Sequence, residues 1–238
     1  ALDTSAAITV SLDDVNSGNV AAAPITGTTT GVEAGQTVTL AITDGTATVT
    51  VTAVVNPDGS YSTTADLSGL ADGPLTVTAS VSDAAGNPAT ATDTAALDTT
   101  AAITVSLEDV NGGNVGAAPI TGTTNGVEAG QTVTLAITDG TATVTVTAVV
   151  NPDGSYSTTA DLSGLADGPL TVTASVSDTA GNPATATDTA ALDTTAAITV
   201  SLDDVNSGNV AAAPIAGTTT GVEAGQTVTL QVTDGTAT

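Results

Sequence analysis

The chain has 238 residues, 25 acidic side chains and no lysine, arginine or histidine, so its formal net charge is −25. Because 40% of the residues are hydrophobic, the chain is not expected to be a disordered polyelectrolyte. Its acidic surface excludes nucleic acid and anionic lipid as partners and attracts divalent cations. Without cysteine it has no disulfides and no thiolate metal sites, and we expect neither a membrane span nor a signal peptide.

The sequence repeats with a period of 95 residues. Near-identical segments begin at residues 1, 96 and 191 with ALDTSAAITV, ALDTTAAITV and ALDTTAAITV, and the first two copies differ at only six positions. A period of this length predicts an array of similar domains. We expect repeat 1 at residues 1–97, repeat 2 at 98–192, and the first half of repeat 3 at 193–238.

Each repeat is predicted to be an all-β immunoglobulin-like Greek-key sandwich, because turn residues recur about every 8 to 12 positions with alternating apolar and polar residues between them. Within strand C, alternation places Val38, Leu40 and Ile42 on the core side. Helices are not expected, because the β-branched residues and glycine that dominate the sequence have low helix propensity. In repeat 1 we predict seven strands: Ala6–Leu12 (A), Ile25–Thr30 (B), Thr37–Thr43 (C), Thr46–Val55 (D), Ser60–Leu67 (E), Leu75–Ser82 (F) and Thr90–Leu97 (G).

Strands that alternate in direction put the two ends of a repeat at opposite poles. The loops after strands A, C and E share the lower pole with the end of strand G, and the other loops share the upper pole with the start of strand A. We therefore expect the repeats to follow one another in a line, as a linear rod. We call the contact between repeats 1 and 2 the first junction, and the contact between repeats 2 and 3 the second junction.

Acidic side chains gather at these poles with no base to neutralise them, and Asp93 and Asp188 add to the acids near the junctions. Two carboxylates about 5 Å apart repel by roughly 1 kcal/mol in water. Ca2+ takes about six to eight oxygen ligands, so the pattern indicates Ca2+ at the junctions. The first junction is expected to receive Asp13, Asp14, Asn16, Asn19, Asp44, Asp66 and Asp72 from repeat 1, and Asp98, Glu128, Asp153, Asp178 and Asn182 from repeat 2.

Several segments resemble the bacterial immunoglobulin-like extender repeats of giant biofilm-associated and RTX-type adhesins, which are secreted by the type I route. The resemblance rests on ALDTTAAITV, GTTTGVEAGQTVTL, NPDGSYSTTADLSGLADGPLTVTASVSDAAGN and ATATDT. It implies an extracellular stalk on the bacterial cell surface, stiffened by Ca2+ at domain junctions, that projects a distal ligand-binding domain. The family's linker has proline where this chain has Ala102 and Ala197.

The resemblance implies a set of Ca2+ ligands at equivalent positions of the repeats. These are the linker aspartates Asp3, Asp98 and Asp193, the loop pairs Asp83 with Asn87 and Asp178 with Asn182, and the glutamates Glu33, Glu128 and Glu223. Further candidates are Asp13, Asp14, Glu108 and Asp109 in the loop after strand A, and Asp72 and Asp167 in the loop after strand E. That first loop is not an EF-hand, because its twelfth position from Asp14 is Ile25. The alternative interpretation is that all these residues are solvated turn residues, since Asp and Asn are common in turns.

The sequence is also compatible with two other functions. Thr-rich edge strands would suit a self-assembling filament or surface-layer subunit. Tyr61 and Tyr156 could bind sugars in a carbohydrate-binding module, although one tyrosine per repeat is more often a partly buried core residue. An enzyme is not expected, because the chain lacks His, Cys, Lys and Arg and has no aromatic wall to form a pocket. The expected partners are calcium ions and neighbouring repeats.

Overall fold

The computed structural model describes residues 5–235, and these residues are almost entirely β-strands and turns. The exceptions within that range are two short 3-10 helices, Val20–Ala22 and Val115–Ala117. No helix in the described part of the chain is long and apolar enough to cross a membrane.

The strands of repeats 1 and 2 correspond one to one, with one additional short strand in repeat 2. Repeat 1 contains β1 (Ala7–Ile8), β2 (Ser11–Leu12), β3 (Ala23–Thr30), β4 (Thr37–Thr43), β5 (Thr48–Val54), β6 (Ser60–Ala65), β7 (Gly73–Ser82) and β8 (Pro88–Leu97). Repeat 2 contains β9 (Ala102–Ile103), β10 (Ser106–Leu107), β11 (Val110–Asn111), β12 (Ala118–Asn125), β13 (Thr132–Thr138), β14 (Thr143–Val149), β15 (Ser155–Ala160), β16 (Gly168–Ser177) and β17 (Pro183–Asp193).

Each complete repeat has two sheets, which confirms the predicted immunoglobulin-like sandwich. In repeat 1, β1, β2 and β6 all pair with β3, while the second sheet has the order β5-β4-β7-β8. Repeat 2 has the same two sheets, and its β11 adds to the second one by pairing parallel with β17. In repeat 1 this parallel contact is a single bridge between Val15 and Leu97.

The predicted register of strand C is confirmed. Val38, Leu40 and Ile42 are completely buried, and their equivalents in repeat 2 are buried to the same extent. The buried residues form two separate clusters, one drawn from residues 8–97 and the other from residues 103–192. Strand C is central because β4 pairs with both β5 and β7, so its alternating Val, Leu and Ile face the opposite sheet.

Strand A was predicted as one continuous strand, and this was wrong. It is split into β1 and β2 because the Thr9 carbonyl accepts a hydrogen bond from the Tyr61 hydroxyl, which reaches in from β6. Opposite this point lies Gly27, where a Cβ would overlap both the Thr9 carbonyl and the Tyr61 ring. Tyr61 is only 1% exposed, and burial raises its pKa to about 12. A buried ring offers no face to a sugar, and Tyr156 is buried to the same extent, so neither tyrosine can stack on a carbohydrate.

Several strand ends also differ from the prediction. Strand D begins at Thr48 instead of Thr46, because the Asp44 carboxylate accepts hydrogen bonds from the N–H groups of Thr46 and Ala47, both at 2.7 Å, and so closes a turn. Strand E ends at Ala65 because Asp66 makes a similar turn with Ser68. Strands B, F and G each begin two residues before their predicted starts.

Repeat 3 forms one antiparallel pair, β18 (Ala197–Leu202) with β19 (Ile215–Thr220). The strand C pattern recurs at residues 227–233, but these residues form no strand, and Val228, Leu230 and Val232 are exposed. In repeats 1 and 2 strand C bonds to strands D and F, and no such strand follows residues 227–233 within the described range. Strands A and B pair with each other, so their hairpin still forms.

Candidate functional site at the repeat junctions

The loops meet at the poles as the alternation of strands predicts. At the lower pole of repeat 1, Asp14 Oδ1 accepts a hydrogen bond from Ala96 N at 2.7 Å, which ties the loop after strand A to the end of strand G. Asp44 Oδ2 accepts from Ala71 N at 2.8 Å, which ties the loop after strand C to the loop after strand E. At the upper pole, Glu33 links the loop after strand B to the loop after strand F.

The linker is anchored to the repeat that precedes it. The Asp72 carboxylate accepts hydrogen bonds from the hydroxyls of Thr99 at 2.9 Å and Thr100 at 3.2 Å. Asp98 donates its N–H to Val15 O at 2.9 Å, and its carboxylate accepts from Thr100 N at 3.3 Å. At the second junction, Asp167 holds Thr194 and Asp193 holds Thr195 in a similar manner.

The loop after strand F is organised by its aspartate and asparagine. Asp178 and Asn182 are 5% and 1% exposed, respectively. Asn182 donates its backbone N–H to Asp178 Oδ1 at 2.8 Å and its side-chain amide to Asp178 Oδ2 at 2.7 Å. Repeat 1 has the same arrangement, and the Asn87 amide holds the pKa of Asp83 below its usual value. These two predicted ligand pairs are therefore each brought together by the fold.

Direct hydrogen bonds cross the first junction. Asn16 Nδ2, in the loop after strand A of repeat 1, donates to Ala180 O at 2.7 Å, and Ser17 N donates to Asn182 Oδ1 at 2.8 Å. Asn182 Nδ2 also donates to the linker carbonyl of Asp98 at 2.9 Å. The side chain of Asn182 thus contacts repeat 1, the linker and its own loop.

The predicted glutamate ligands Glu33 and Glu128 hold the loop after strand F from the side. Glu33 Oε2 accepts from Ala84 N at 2.8 Å. Glu128 accepts from Thr179 N at 2.9 Å and also from the Thr179 hydroxyl at 2.5 Å, which lowers the pKa of Glu128. Threonine at position 179, where repeat 1 has Ala84, therefore adds a bond to the upper pole of repeat 2.

The remaining candidate ligands lie around the loops after strand A. Asp109 Oδ1 accepts from Ala191 N at 2.8 Å, as Asp14 does from Ala96. Asp13 and Glu108 are exposed. Asp3 lies outside the described residues.

The acids share the junctions without meeting at one point. Within residues 5–235, no group of three or more acidic side chains lies close enough together to hold a metal ion. A cleft of about 600 Å³ at the second junction is lined by Asp109, Asp193 and Glu223 together with linker threonines. The atoms that could bind a metal here are all oxygens, which suits Ca2+. In this arrangement, however, too few of them converge on one point to complete its coordination. The proposed ligand residues therefore stay a prediction.

Asp93 and Asp188 do not lie at the junctions, which corrects the expectation from sequence. Asp93 lies within β8, where Asp93 Oδ2 accepts a hydrogen bond from Leu12 N at 3.0 Å and so links β2 of one sheet to β8 of the other. Asp188 does the same with Leu107 N at 3.0 Å, and this bond lowers the pKa of Asp188. No sequence signal identified these links, because each joins residues that are 81 positions apart.

No family model and no curated protein matches the sequence. Among solved structures, the chain is similar to a tetra-tandem repeat in the extending region of a large adhesion protein, with 39% identity over 90% of this chain and 56% of that chain, and a TM-score of 0.43. It is also similar to a Ca2+-stabilised adhesin with which an Antarctic bacterium binds ice, with 29% identity over 88% of this chain and 54% of that chain, and a TM-score of 0.45. The chain thus spans little more than half the length of either structure.

A third similar structure is a single bacterial immunoglobulin-like domain from the M. primoryensis ice-binding adhesin. It is 32% identical, and the match covers 40% of this chain and 99% of that chain, with a TM-score of 0.31. The likeness to this domain rests on sequence identity over its whole length.

Proposed function

The chain belongs to the bacterial immunoglobulin-like repeats of large adhesins, and we propose that it forms part of an extender stalk on the bacterial cell surface, stiffened by Ca2+ at the repeat junctions. In this role it would project a distal binding domain that lies outside these residues. The repeats themselves would bind no adhesion target and catalyse no reaction.

The observation that carries this proposal is the way one repeat ends against the next. The linker is bound to the lower pole of repeat 1 through Asp72 and to the upper pole of repeat 2 through Asn182. A linker held on both sides limits the angles that neighbouring repeats can adopt, which is what a stalk requires. The likeness to the extending region of a large adhesion protein supports the same role.

Calcium would act on junction carboxylates, which no basic side chain of this chain can neutralise. Asp72 and Asp98 at the first junction, and Asp109, Asp193 and Glu223 at the second, are the acids best placed to hold it. When bound, Ca2+ would supply positive charge that offsets repulsion among these groups. Since the ion would bind the ordered junction and not a splayed one, each site would add about 3 kcal/mol at a hundredfold excess of Ca2+ over its Kd.

One observation favours lateral assembly as a second candidate function. The edge strands β5 and β14 carry no charged residue, although edge strands usually bear charges that block pairing with other chains. Alternate side chains of β5 are exposed threonines, and Val54 at its end is 59% exposed. Concentration-dependent association, abolished by Thr50→Lys together with Thr145→Lys, would support a filament or surface-layer role.

Small-angle scattering with Ca2+ and then with EDTA tests the stalk proposal. We expect the maximum dimension to fall or the scattering to show bending when Ca2+ is removed. The double variant Asp72→Asn with Asp98→Asn should respond less to Ca2+, whereas Asp58→Asn, which removes an exposed turn charge held by Ser60, should respond as the unmodified chain does. Identical scattering with and without Ca2+ would refute the calcium component.

A further inference from the structure

A four-residue turn with the sequence Asn-X-Gly-Asn follows strand A in all three repeats, at residues 16–19, 111–114 and 206–209. In repeat 1, Asn16 Oδ1 accepts a hydrogen bond from Gly18 N at 2.8 Å, and Asn19 Oδ1 accepts from Asn16 N at 2.8 Å. The same two bonds, at 2.7 to 2.8 Å, occur in the turns of repeats 2 and 3. The turn is therefore formed by its own side chains, whether or not a following repeat is in contact with it.

These internal bonds leave a defined pair of donors for the neighbouring repeat. Asn16 Oδ1 is used within the turn, so its Nδ2 is available to donate outward, as is the backbone N–H of Ser17. They bind Ala180 O at 2.7 Å and Asn182 Oδ1 at 2.8 Å. Two donors on one repeat thus meet two acceptors on the next.

The acceptor side is equally preformed. Asp178 binds both the backbone and the side-chain N–H of Asn182, which fixes the amide so that Oδ1 faces the turn and Nδ2 reaches the Asp98 carbonyl. Asn182 is 1% exposed, and no buried side-chain nitrogen or oxygen among residues 5–235 lacks a hydrogen-bond partner. Because the interaction is satisfied on every side, it needs no ion or water to complete it.

We propose that the Asn-X-Gly-Asn turn is a connector that docks into the Asp-X-X-Gly-Asn loop of the following repeat and sets their relative orientation without metal. The partner is another copy of the same repeat. The connector lies at the same junction at which the stalk proposal places Ca2+. Its docking does not depend on the stalk proposal, and only its biological role rests on that proposal. Both halves recur, since the acceptor loop is present at residues 83–87 and 178–182.

The differences between the repeats agree with this assignment. Position 17 is Ser in repeats 1 and 3 and Gly112 in repeat 2, and only its backbone N–H takes part in docking. Position 16 is Asn in all three copies, and its side chain supplies both the internal acceptor and the outward donor. The donors are neutral N–H groups, which repel a cation instead of binding it, so the connector and a Ca2+ site have different chemical requirements.

The test compares Asn16→Asp with Asn111→Asp. The aspartate keeps the oxygen that accepts from the Gly backbone N–H but replaces the outward donor with an acceptor, which would face Ala180 O in repeat 1. The same change at Asn111 meets no acceptor loop among the described residues. Since the chain has no cysteine, spin labels can be placed at Thr52→Cys and Thr147→Cys, two equivalent exposed positions on β5 and β14.

Electron-electron distance measurements in EDTA should give a narrow distribution for the labelled parent chain and for Asn111→Asp, and a roughly doubled width for Asn16→Asp, because the junction gains alternative orientations. Asn16→Ser, which keeps a short acceptor but no donor that reaches Ala180, should broaden it as well and guards against a folding defect of the aspartate variant. An Asn16→Asp distribution as narrow as that of the parent, or a parent distribution already broad in EDTA, would overturn the connector.

Repeating the measurement in Ca2+ separates this inference from the proposed stalk mechanism. If Ca2+ narrows the distribution of Asn16→Asp, both contributions are present. If the parent is narrow in EDTA and Ca2+ changes neither chain, the connector stands and calcium stiffening fails. If Ca2+ alone determines the width and Asn16→Asp matches the parent in EDTA, the connector fails and calcium stiffening stands.

Discussion

The first and second junctions share their turn and linker sequences, but only the first includes the loop after strand F of the following repeat, because the counterpart of that loop in repeat 3 is not part of this sequence. At the first, the turn of repeat 1 and the loop of repeat 2 meet through Asn16, Ser17 and Asn182. At the second, an open cleft is lined by Asp109, Asp193 and Glu223. The cleft at the first junction has similar volume, about 570 Å³, but no carboxylate lines it.

Among the described residues, the hydrogen bonds that cross the first junction come from asparagine side chains and a backbone N–H, and no carboxylate takes part in them. The linker bonds from Asp72 and Asp167 are present at both, so these bonds anchor the linker backwards to its own repeat. At the first junction, repeat 1 contacts the next repeat through the loop after strand F of repeat 2. The first junction therefore has the donors of one repeat facing the acceptors of the next.

The largest effect is expected from substitutions that unfold one complete repeat and so remove it from the junctions. Gly122→Val would place a side chain where the Thr104 carbonyl and the Tyr156 ring already lie, which should destabilise repeat 2 by about 3 kcal/mol or more and disrupt both junctions. Gly27→Val should do the same to repeat 1 and disrupt the first junction only. Urea unfolding followed by tyrosine fluorescence, with one tyrosine per complete repeat, measures the loss.

The control for these variants is Gly164→Val in repeat 2. No atom lies within 4 Å of a Cβ at that glycine, so its stability should change little. Equal losses at Gly122 and Gly164 would mean that the steric argument about the Tyr156 hydroxyl is incorrect.

The next largest effect should come from Asn182→Ala, which removes the one side chain shared by repeat 1, the linker and repeat 2. Loss of its side chain removes one hydrogen bond to the buried Asp178 carboxylate, one to the Asp98 carbonyl and one from Ser17 N–H, at a cost of about 2 kcal/mol. Asn87→Ala, in repeat 1, should cost less, because Asn87 is half-buried and water can replace the amide. Calorimetric unfolding of both variants checks the difference, and a larger loss for Asn87→Ala would contradict this ranking.

A smaller effect, equal in the two repeats, is expected from acid. Hydrogen bonds from the N–H groups of Ala47, Ala71 and Thr46 hold the pKa of Asp44 far below its usual value, and Asp139 has the equivalent donors. Because the folded-state pKa is the lower one, the stabilisation is complete above about pH 4 and is lost as pH falls through the folded pKa. Asp44→Asn and Asp139→Asn should each flatten the acid dependence of unfolding, measured by urea titration between neutral and acidic pH.

Since Asp44 and Asp139 have the same surroundings, they should not distinguish the junctions. A repeat that unfolds at a higher pH than its neighbour would therefore owe the difference to groups other than these two aspartates. Unequal effects of the two Asn substitutions would contradict the equivalence of the lower poles.

The smallest effect should come from Ser17→Gly, which copies the residue found at Gly112. Because position 17 donates only through its backbone N–H, stability should change by no more than about 0.5 kcal/mol, and the orientation of repeats 1 and 2 should be unchanged. The spin-label distances described above provide the measurement. A broadened distribution for this variant would show that the Ser17 side chain contributes to the first junction.

Sequence reasoning predicted the fold well where local pattern decides it. The alternation of Val38, Leu40 and Ile42 gave the position and register of strand C, and the loops were assigned to the correct poles. It did not predict the break in strand A, because that break depends on Tyr61 from another strand, 52 residues away. It also placed Asp93 at a junction, although its carboxylate links the two sheets.

The candidate site was predicted only in part. Asn16 and Asn182 were both expected at the first junction, and the pairing of Asp178 with Asn182 was expected as a ligand pair. The donors and acceptors that join Asn16 and Ser17 to the next repeat were not, since the partners are separated by up to 165 residues and belong to different domains. The Ca2+ ligand set was assigned by resemblance and remains a prediction.

The sequence alone predicted that this chain is a tandem array of small-core β-sandwiches, and it raised the hypothesis that cations from outside offset its surplus of acids. The repeat period, the alternation of apolar and polar residues and the net charge are local or additive properties of the sequence, so they can be established without a structure. Only the tertiary structure decided which polar groups meet. Strand C pairs with strands D and F in repeats 1 and 2, and Asn182 acquires its role because another repeat packs against it. Hydrogen bonds depend on distances of a few tenths of an ångström, and these are set by packing between distant segments.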